Sequence, residues 1–191
     1  MSDPATPDAR QRKRRNASQT KARIVQAAQQ SFACQGYTHT RLRDIAQAAD
    51  VAVSLVPQHF GSKAELFEAA LLAAMASNRA MDAPMDDLAR AMIDYVSGGG
   101  DITLPTMVIL SIGDPEARAI TTRILVDQIV PALAEKLGPP DAEARALELT
   151  MLATGFLIYA RQLPAGAVSE RTRRRFITLI QETLDGDTHL A

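Results

Sequence analysis

At 191 residues, with 47% hydrophobic side chains but only five Phe, three Tyr and no Trp, the chain can bury a real core packed from Ala- and Leu-rich helices; the composition argues against an aromatic-rich β-sandwich. A single cysteine, Cys34, excludes an internal disulfide, and no apolar run approaches the ~18 uncharged residues of a membrane span. The net charge of −1 hides an asymmetry, because residues 1–63 hold ten Lys/Arg against four Asp/Glu while residues 64–191 hold eleven against eighteen. A basic front end on an acidic body suits a polyanionic partner, although a charge run is also an ordinary solvated face. The charged N-terminus has no apolar stretch behind it, so it does not read as a secretory signal, and a soluble cytoplasmic protein is expected.

"MSDPATPDARQRKRRNAS" is polar, Pro-containing and basic, and predicts a flexible tail. A first helix is expected from Ser18 or Thr20, with Ile24, Ala28 and Phe32 on one face, Cys34 as a small buried thiol and Gly36 just past the end. Thr40 is expected to cap a second helix whose Leu42, Ile45, Ala46 and Ala49 form a stripe. A tight turn follows at Asp50, a residue type that tolerates left-handed backbone. The third segment, "VAVSLVPQHFGSK", carries Pro57, which lacks a backbone donor, so a bent or late-starting helix is expected there. Ser62 and Glu65 then form a capping box for a fourth helix running to about Asn78.

"DAP" at 82–84 breaks the pattern, and Met85, Leu88, Ala89, Met92, Ile93 and Val96 mark a fifth helix ended by "SGGG". A sixth is expected at roughly 102–112. Asp114 as N-cap and Pro115 at the first helical position start a seventh that continues to about Leu137, bent at Pro131. Asp141 caps an eighth, and Ser169 opens a ninth carrying Phe176, Ile180 and Leu184. No segment alternates like a strand. The expected fold is all-α, with about nine helices and no internal repeat.

Two short helices joined by a tight turn and preceded by a longer one match a helix-turn-helix. Val51, Val56 and Phe60 are spaced to face the first two helices, which leaves Val53, Ser54, Leu55, Pro57 and Gln58 outward. In a major groove, apolar side chains can touch thymine methyls and Gln can pair with adenine. Lys63 lies at a helix start, where a cation is disfavoured by the macrodipole unless an anion such as a phosphate is near. Thr40, Arg41 and Arg43 are further candidates for backbone contacts. His59 reads either as a phosphate donor or as a capping, half-buried ring. The tail "RQRKRR" either follows the minor groove or holds counterions.

These residues carry a family resemblance. "TKARIVQAAQQSFACQGYTHTRLRDIAQAADVAVSLVPQHFGSKAELF" resembles the DNA-binding domain of TetR-family (tetracycline-repressor-like) transcriptional regulators, through "AA...F...GY", "T..RDIA..A.V", "HF.SK..L" and their spacing. The resemblance covers roughly residues 17–67, and the acidic helical remainder resembles the family's variable C-terminal domain. It implies a flexible basic tail at 1–17, a DNA-binding domain at 18–80 with the helix-turn-helix at about 41–60, and an effector-binding and dimerisation domain at 81–191. The implied DNA-contacting residues are Thr40, Arg41, Arg43, Val53, Ser54, Leu55, Pro57, Gln58, His59 and Lys63. Two departures stand out: Asp50 replaces the turn glycine, and Pro57 replaces a tyrosine that commonly donates to phosphate.

The same resemblance implies a small, largely hydrophobic effector in an apolar pocket lined by some of Met75, Met92, Tyr95, Met107, Leu110, Ile124, Phe156 and Tyr159. It also implies a homodimer formed by the last two long helices, about 141–162 and 169–184, through Leu147, Thr150, Met151, Thr154, Ile158, Phe176 and Ile180. His39, His59 and His189 are far apart in sequence and no Cys/His pair has metal-ligand spacing, so neither metal nor cofactor is expected. The leading expectation is a ligand-responsive regulator, a dimeric repressor on a palindromic operator. The alternatives are a helical protein-interaction module with DNA binding impaired by Pro57, and, remotely, a small enzyme, for which no acid/base pair or activated nucleophile is visible.

Overall fold

The computed structural model describes residues 9–77, 83–84, 87–88, 90–92, 102–163 and 168–186. Among them the chain forms nine α-helices and no strand: α1 Ala9–His39, α2 Leu42–Ala48, α3 Leu55–Phe60, α4 Lys63–Ala76, α5 Thr103–Ser111, α6 Pro115–Ile124, α7 Val130–Leu137, α8 Ala142–Leu157 and α9 Glu170–Asp185. Residues 87–88 and 90–92 are also helical, within the span expected for a helix from Met85 to Val96. None of the described helices is long and apolar enough to cross a membrane.

α1 departs from expectation at its start. Residues 9–17 continue the helix instead of forming a tail, because "ARQRKRRNAS" contains no Gly or Pro and is rich in Arg, Lys, Gln and Ala, which favour helix. At its other end the regular helix stops at Gly36, whose φ of 71° and ψ of 173° are non-helical. Cys34 is exposed rather than buried, because it sits two residues beyond Phe32 and turns away from the Ile24, Ala28 and Phe32 face.

Two apolar clusters hold the molecule together. The first takes Ile24, Ala28, Phe32, Ile45, Val56, Phe60, Leu66, Phe67 and Leu71 from α1–α4 and continues without a break into Leu104, Met107, Ala117 and Ile124 of α5 and α6. Phe67 stands at its centre, edge-on to both Phe32 and Tyr37 at 5.0 and 5.2 Å between ring centres. The second joins Leu88, Met92, Val130, Leu133, Ala146, Leu149, Phe156, Leu157, Ile180 and Leu184.

Where one helix bent at Pro131 was expected, an irregularity upstream of the proline interrupts it. A π-turn at Leu125–Ile129 precedes it, with the Val130 N–H reaching back to the Leu125 carbonyl, so the missing proline donor falls beside a turn already widened. A second π-turn, Ile158–Gln162, ends α8. Asp141 occupies the N-cap position of α8 but makes no side-chain cap bond. The loop before it is held by Arg145, whose guanidinium donates to the carbonyls of Gly138 at 3.1 Å and Pro140 at 2.8 Å, and to those of Thr183 and Leu184 at the end of α9.

Candidate nucleic-acid interface

α2 ends in a six-residue hydrogen-bonded turn. The Val51 N–H bonds the Ala46 carbonyl at 3.0 Å, the Asp50 N–H bonds the Gln47 carbonyl at 3.1 Å, and Asp50 adopts the left-handed conformation with φ 51°. Asp thus takes the conformation for which glycine is the usual residue. Arg23 of α1 reinforces the turn, with a guanidinium nitrogen 3.4 Å from the Asp50 carbonyl and another 3.8 Å from its carboxylate.

The opening of α3 resolves the proline. The Val56 N–H takes the Val53 carbonyl at 3.2 Å, and the Leu55 N–H takes that of Ala52 at 2.9 Å. Pro57 is therefore the third residue of a helix that starts at Leu55, inside the first turn, where backbone N–H groups have no helical partner to lose. The helix begins late. Its last turn closes normally, with the Gly61 N–H on the Pro57 carbonyl at 2.8 Å. Gly61 then turns the chain at φ 74°, where a Cβ would also meet the Glu65 carboxylate, and the Ser62–Glu65 capping box starts α4 at 3.1 and 2.7 Å.

Inward and outward residues divide as their spacing predicts except at Leu55, which was expected outward. Val56 and Phe60 are buried and Val51 packs on the same cluster, whereas Val53 is 52% exposed and Ser54, Pro57 and Gln58 are exposed. Leu55 and His59 are half-buried. Arg41 and Arg43 are exposed at the start of α2, with Arg43 3.4 Å from Asp44. Thr40 is a correction. It is buried, its hydroxyl donates inward to the carbonyls of Gly36 (2.7 Å) and Ser31 (3.2 Å), and Arg41 takes the N-cap position. It ties α2 to the kink in α1 and has no free hydroxyl for a phosphate.

Lys63 lies where the reading head meets the rest of the molecule. Its ammonium stands 4.3 Å from the centre of the Tyr37 ring, and burial lowers its pKa against the opposing pull of Asp114 and Glu116. The helix-start cation thus already has partners inside the protein. Around it α6 is tied to the end of α1: the Tyr37 hydroxyl donates to Glu116 at 2.5 Å, and the Thr38 hydroxyl donates to Asp114 at 3.1 Å. Burial, with the Glu116 carboxylate, pushes the Tyr37 phenol well above its ordinary range. Asp114, as N-cap of α6, accepts from the Ala117 and Glu116 N–H groups, and these bonds hold its pKa below the usual value. The cap was legible in "GDPEAR"; its second role, across 76 residues of sequence, was not.

The remaining expected sites separate. Met107 and Ile124 belong to the first cluster with Met75 packed against it, while Met92 and Phe156 belong to the second. Leu110 and Tyr159 are partly on the surface, the latter 63% exposed; Tyr95 lies outside the described residues. Sequence reasoning missed Thr121 of α6, whose buried hydroxyl has no hydrogen-bond partner among the described residues. On α8, Leu147 and Met151 are exposed, and Thr150, Thr154 and Ile158 are half-buried. Phe176 packs edge-on to Phe156 at 4.8 Å. Ile180 is fully buried within the chain and so leaves the expected dimer set, because α9 turns that side toward α8.

Together these features define a helix-turn-helix protein whose α3 surface is open and whose N-terminal helices are hydrogen-bonded to α6. The family model described as "Bacterial regulatory proteins, tetR family" matches residues 24–70, and that of the "Tetracyclin repressor-like, C-terminal domain" matches residues 85–186. The chain belongs to the TetR family of bacterial regulatory proteins. It is 40% identical over 60 residues to the HTH-type transcriptional regulator TtgR of Pseudomonas putida, a match spanning 31% of this chain and 29% of TtgR. The fold is shared with a TetR-family regulator from a Rhodococcus species (TM-score 0.67, 19% identity, 87% of this chain and 99% of the other). It is also shared with a transcriptional regulator from Saccharomonospora viridis crystallised with choline (TM-score 0.64, 19% identity, 86% and 96%).

Proposed function

We propose that this chain is a ligand-responsive repressor, with a DNA-reading head at about 18–80 and an effector-binding and dimerisation body at 81–191. Two copies bind a palindromic operator, and a small, largely hydrophobic molecule releases them. The observation that carries this reading is the open surface at α3: Val53 and Ser54 just before the helix and Pro57 and Gln58 within it face solvent, and Arg41 and Arg43 are exposed at the start of α2. Val53 and Leu55 offer methyl contacts to thymine, Gln58 a bidentate pair to adenine, and Ser54 and His59 polar contacts nearby. Arg41 and Arg43 supply positive charge toward the phosphates, whereas the Lys63 ammonium is engaged by Tyr37. Because Pro57 falls in the first turn of α3, it leaves the helix intact, and nothing in its geometry favours a head that has lost DNA binding.

Dimerisation falls to the exposed side of α8. Leu147, Met151, Tyr159 and Leu163 are large exposed apolar residues at four-residue intervals around Gly155. Thr150 and Thr154 are small enough to let a partner helix approach closely.

The effector acts through α6. Thr121 and Ile124 lie on its buried side, and its first turn holds the head through Tyr37–Glu116 and Thr38–Asp114. A ligand that repacks α6 against α4 therefore pulls on the end of α1. The test is selection of bound fragments from random duplexes, followed by titration of Gln58→Ala. The expected outcome is a palindromic site at which Gln58→Ala relaxes preference at one base pair per half-site by ~1–3 kcal/mol. Equal losses on the selected and random duplexes would remove Gln58 from the reading face, and no recovered site would remove the function.

A further inference from the structure

α1 is longer than its apolar face. Its buried residues begin at Ile24, yet the helix starts at Ala9. At ~1.5 Å per residue, the stretch from Ala9 to Lys21 extends about 18 Å. Its direction follows from contacts on both sides. The far end of α1 meets the body at Tyr37 and Thr38, whereas Lys21 stands 5.3 Å over the Phe60 ring at the end of α3 and Arg23 meets Asp50 in the turn before it. Residues 9–20 therefore continue beyond Lys21, from the end of α1 that lies by the turn and α3 rather than the end tied to α6.

This extension is strongly cationic. Arg10, Arg12, Lys13, Arg14, Arg15, Lys21, Arg23, Arg41 and Arg43 lie between Asp8 and Asp44 with no acidic residue among them. Arg12, Arg14 and Arg15 are exposed; at 3.6 residues per turn Arg12 and Arg15 share one side of the helix and Arg14 leaves it on another. No apolar stripe runs through residues 9–19, which rules against packing on a protein partner. A duplex carries a charge every ~1.7 Å of its length, and it is the complementary surface that the head already faces. The minor groove, ~6 Å wide, does not admit a helix of ~10–12 Å diameter.

We propose that residues 9–16 form a helical arm that lies along the phosphate backbone flanking each half-site, adding sequence-independent contacts outside the base-reading face. This rests on the proposed DNA-binding function. The experiment compares the full-length parent with the Arg12→Gln/Arg14→Gln/Arg15→Gln triple variant, which keeps good helix formers. Both are titrated across a salt series on the selected duplex and on a random-sequence duplex of equal length.

The triple variant is expected to lose affinity by the same factor on both duplexes. Its dependence of log K on log salt should flatten by about 0.9 for each phosphate contact removed, up to about five for two arms. An unchanged slope overturns the arm while leaving the head's function standing. A loss confined to duplexes with A/T-rich flanks overturns it in favour of minor-groove reading. Ala17→Pro, which interrupts the helix between arm and head, is expected to reproduce part of the flattening. A full parental slope in that variant overturns the helical form. A parent that binds neither duplex removes arm and function together.

Discussion

Arg145 gives the sharpest stability prediction. It is only 5% exposed, and no carboxylate pairs with it among the described residues. Its partners are four main-chain carbonyls: Thr183 and Leu184 in the last turn of α9, and Gly138 and Pro140 in the loop before α8. The last-turn carbonyls carry the negative end of the helix dipole, so a cation there is well placed. Arg145→Met keeps the aliphatic bulk and removes every donor. The bonds to Thr183 and Leu184 are buried, and orphaning a buried carbonyl costs about 1–3 kcal/mol each.

Those to Gly138 and Pro140 are partly exposed and can turn to water, so they add little. Opposing the loss is the desolvation of a buried charge, which the substitution removes. The net expectation is a destabilisation of ~3 kcal/mol, because the orphaned carbonyls outweigh the relieved charge. With a urea slope of about 2 kcal/mol per M, the midpoint should fall by about 1.5 M at fixed protein concentration. Arg145→Lys, whose single ammonium cannot span four acceptors, should fall between. A midpoint for Arg145→Met within ~0.25 M of the parent, or ~0.5 kcal/mol, would refute the reasoning.

Pro57→Tyr should leave stability nearly unchanged, since Pro57 sacrifices no helical bond, and should raise affinity for operator and random duplex alike through a new phosphate donor; a gel-shift titration showing lower affinity would mean that the proline shapes the reading surface. Thr121→Val, nearly isosteric, should be neutral or stabilising in thermal unfolding because it removes an orphaned hydroxyl, while weakening an effector that bonds there; clear destabilisation would show that the hydroxyl has a partner. Asp114→Ala should cost ~1 kcal/mol at neutral pH as a lost N-cap. Because folding lowers the Asp114 pKa, its contribution is present above the unfolded carboxylate range and disappears as pH falls through the folded value. The gap between parent and variant should therefore close in acid, as urea midpoints across a pH series would show. Tyr37 behaves in the opposite sense: its raised pKa stabilises the fold at neutral pH and is lost as alkali titrates the unfolded phenol, so Tyr37→Phe should flatten the alkaline fall in stability.

Much of this protein is local and could be read in order along the chain. The apolar spacing of Ile24, Ala28 and Phe32, the left-handed Asp50, the Ser62–Glu65 box and the Asp114–Pro115 start each depend on neighbours within a turn or two, and each stands in the structure as read. The outward set around Val53 and Gln58 was legible for the same reason, because helical periodicity separates faces without knowledge of what covers them. Pro57 shows the limit of such reading: a displacement of the helix start by two residues decides whether a proline breaks a bond or sits where none exists.

Tertiary structure alone decided the rest. Thr40 and Lys63 have side chains that reach inward as readily as outward, and only the packed position of α1 directs them to Gly36 and Tyr37. The unbroken core from α1 to Ile124 has no trace in composition, and neither has the Tyr37–Glu116 bond. Ile180 was assigned to a partner's surface because an apolar residue on an amphipathic helix shows that something covers it, but not what. Periodicity is set by one chain segment acting on itself; a contact between Tyr37 and Glu116 requires segments 79 residues apart to meet, and their meeting is the sum of every helix packed between them.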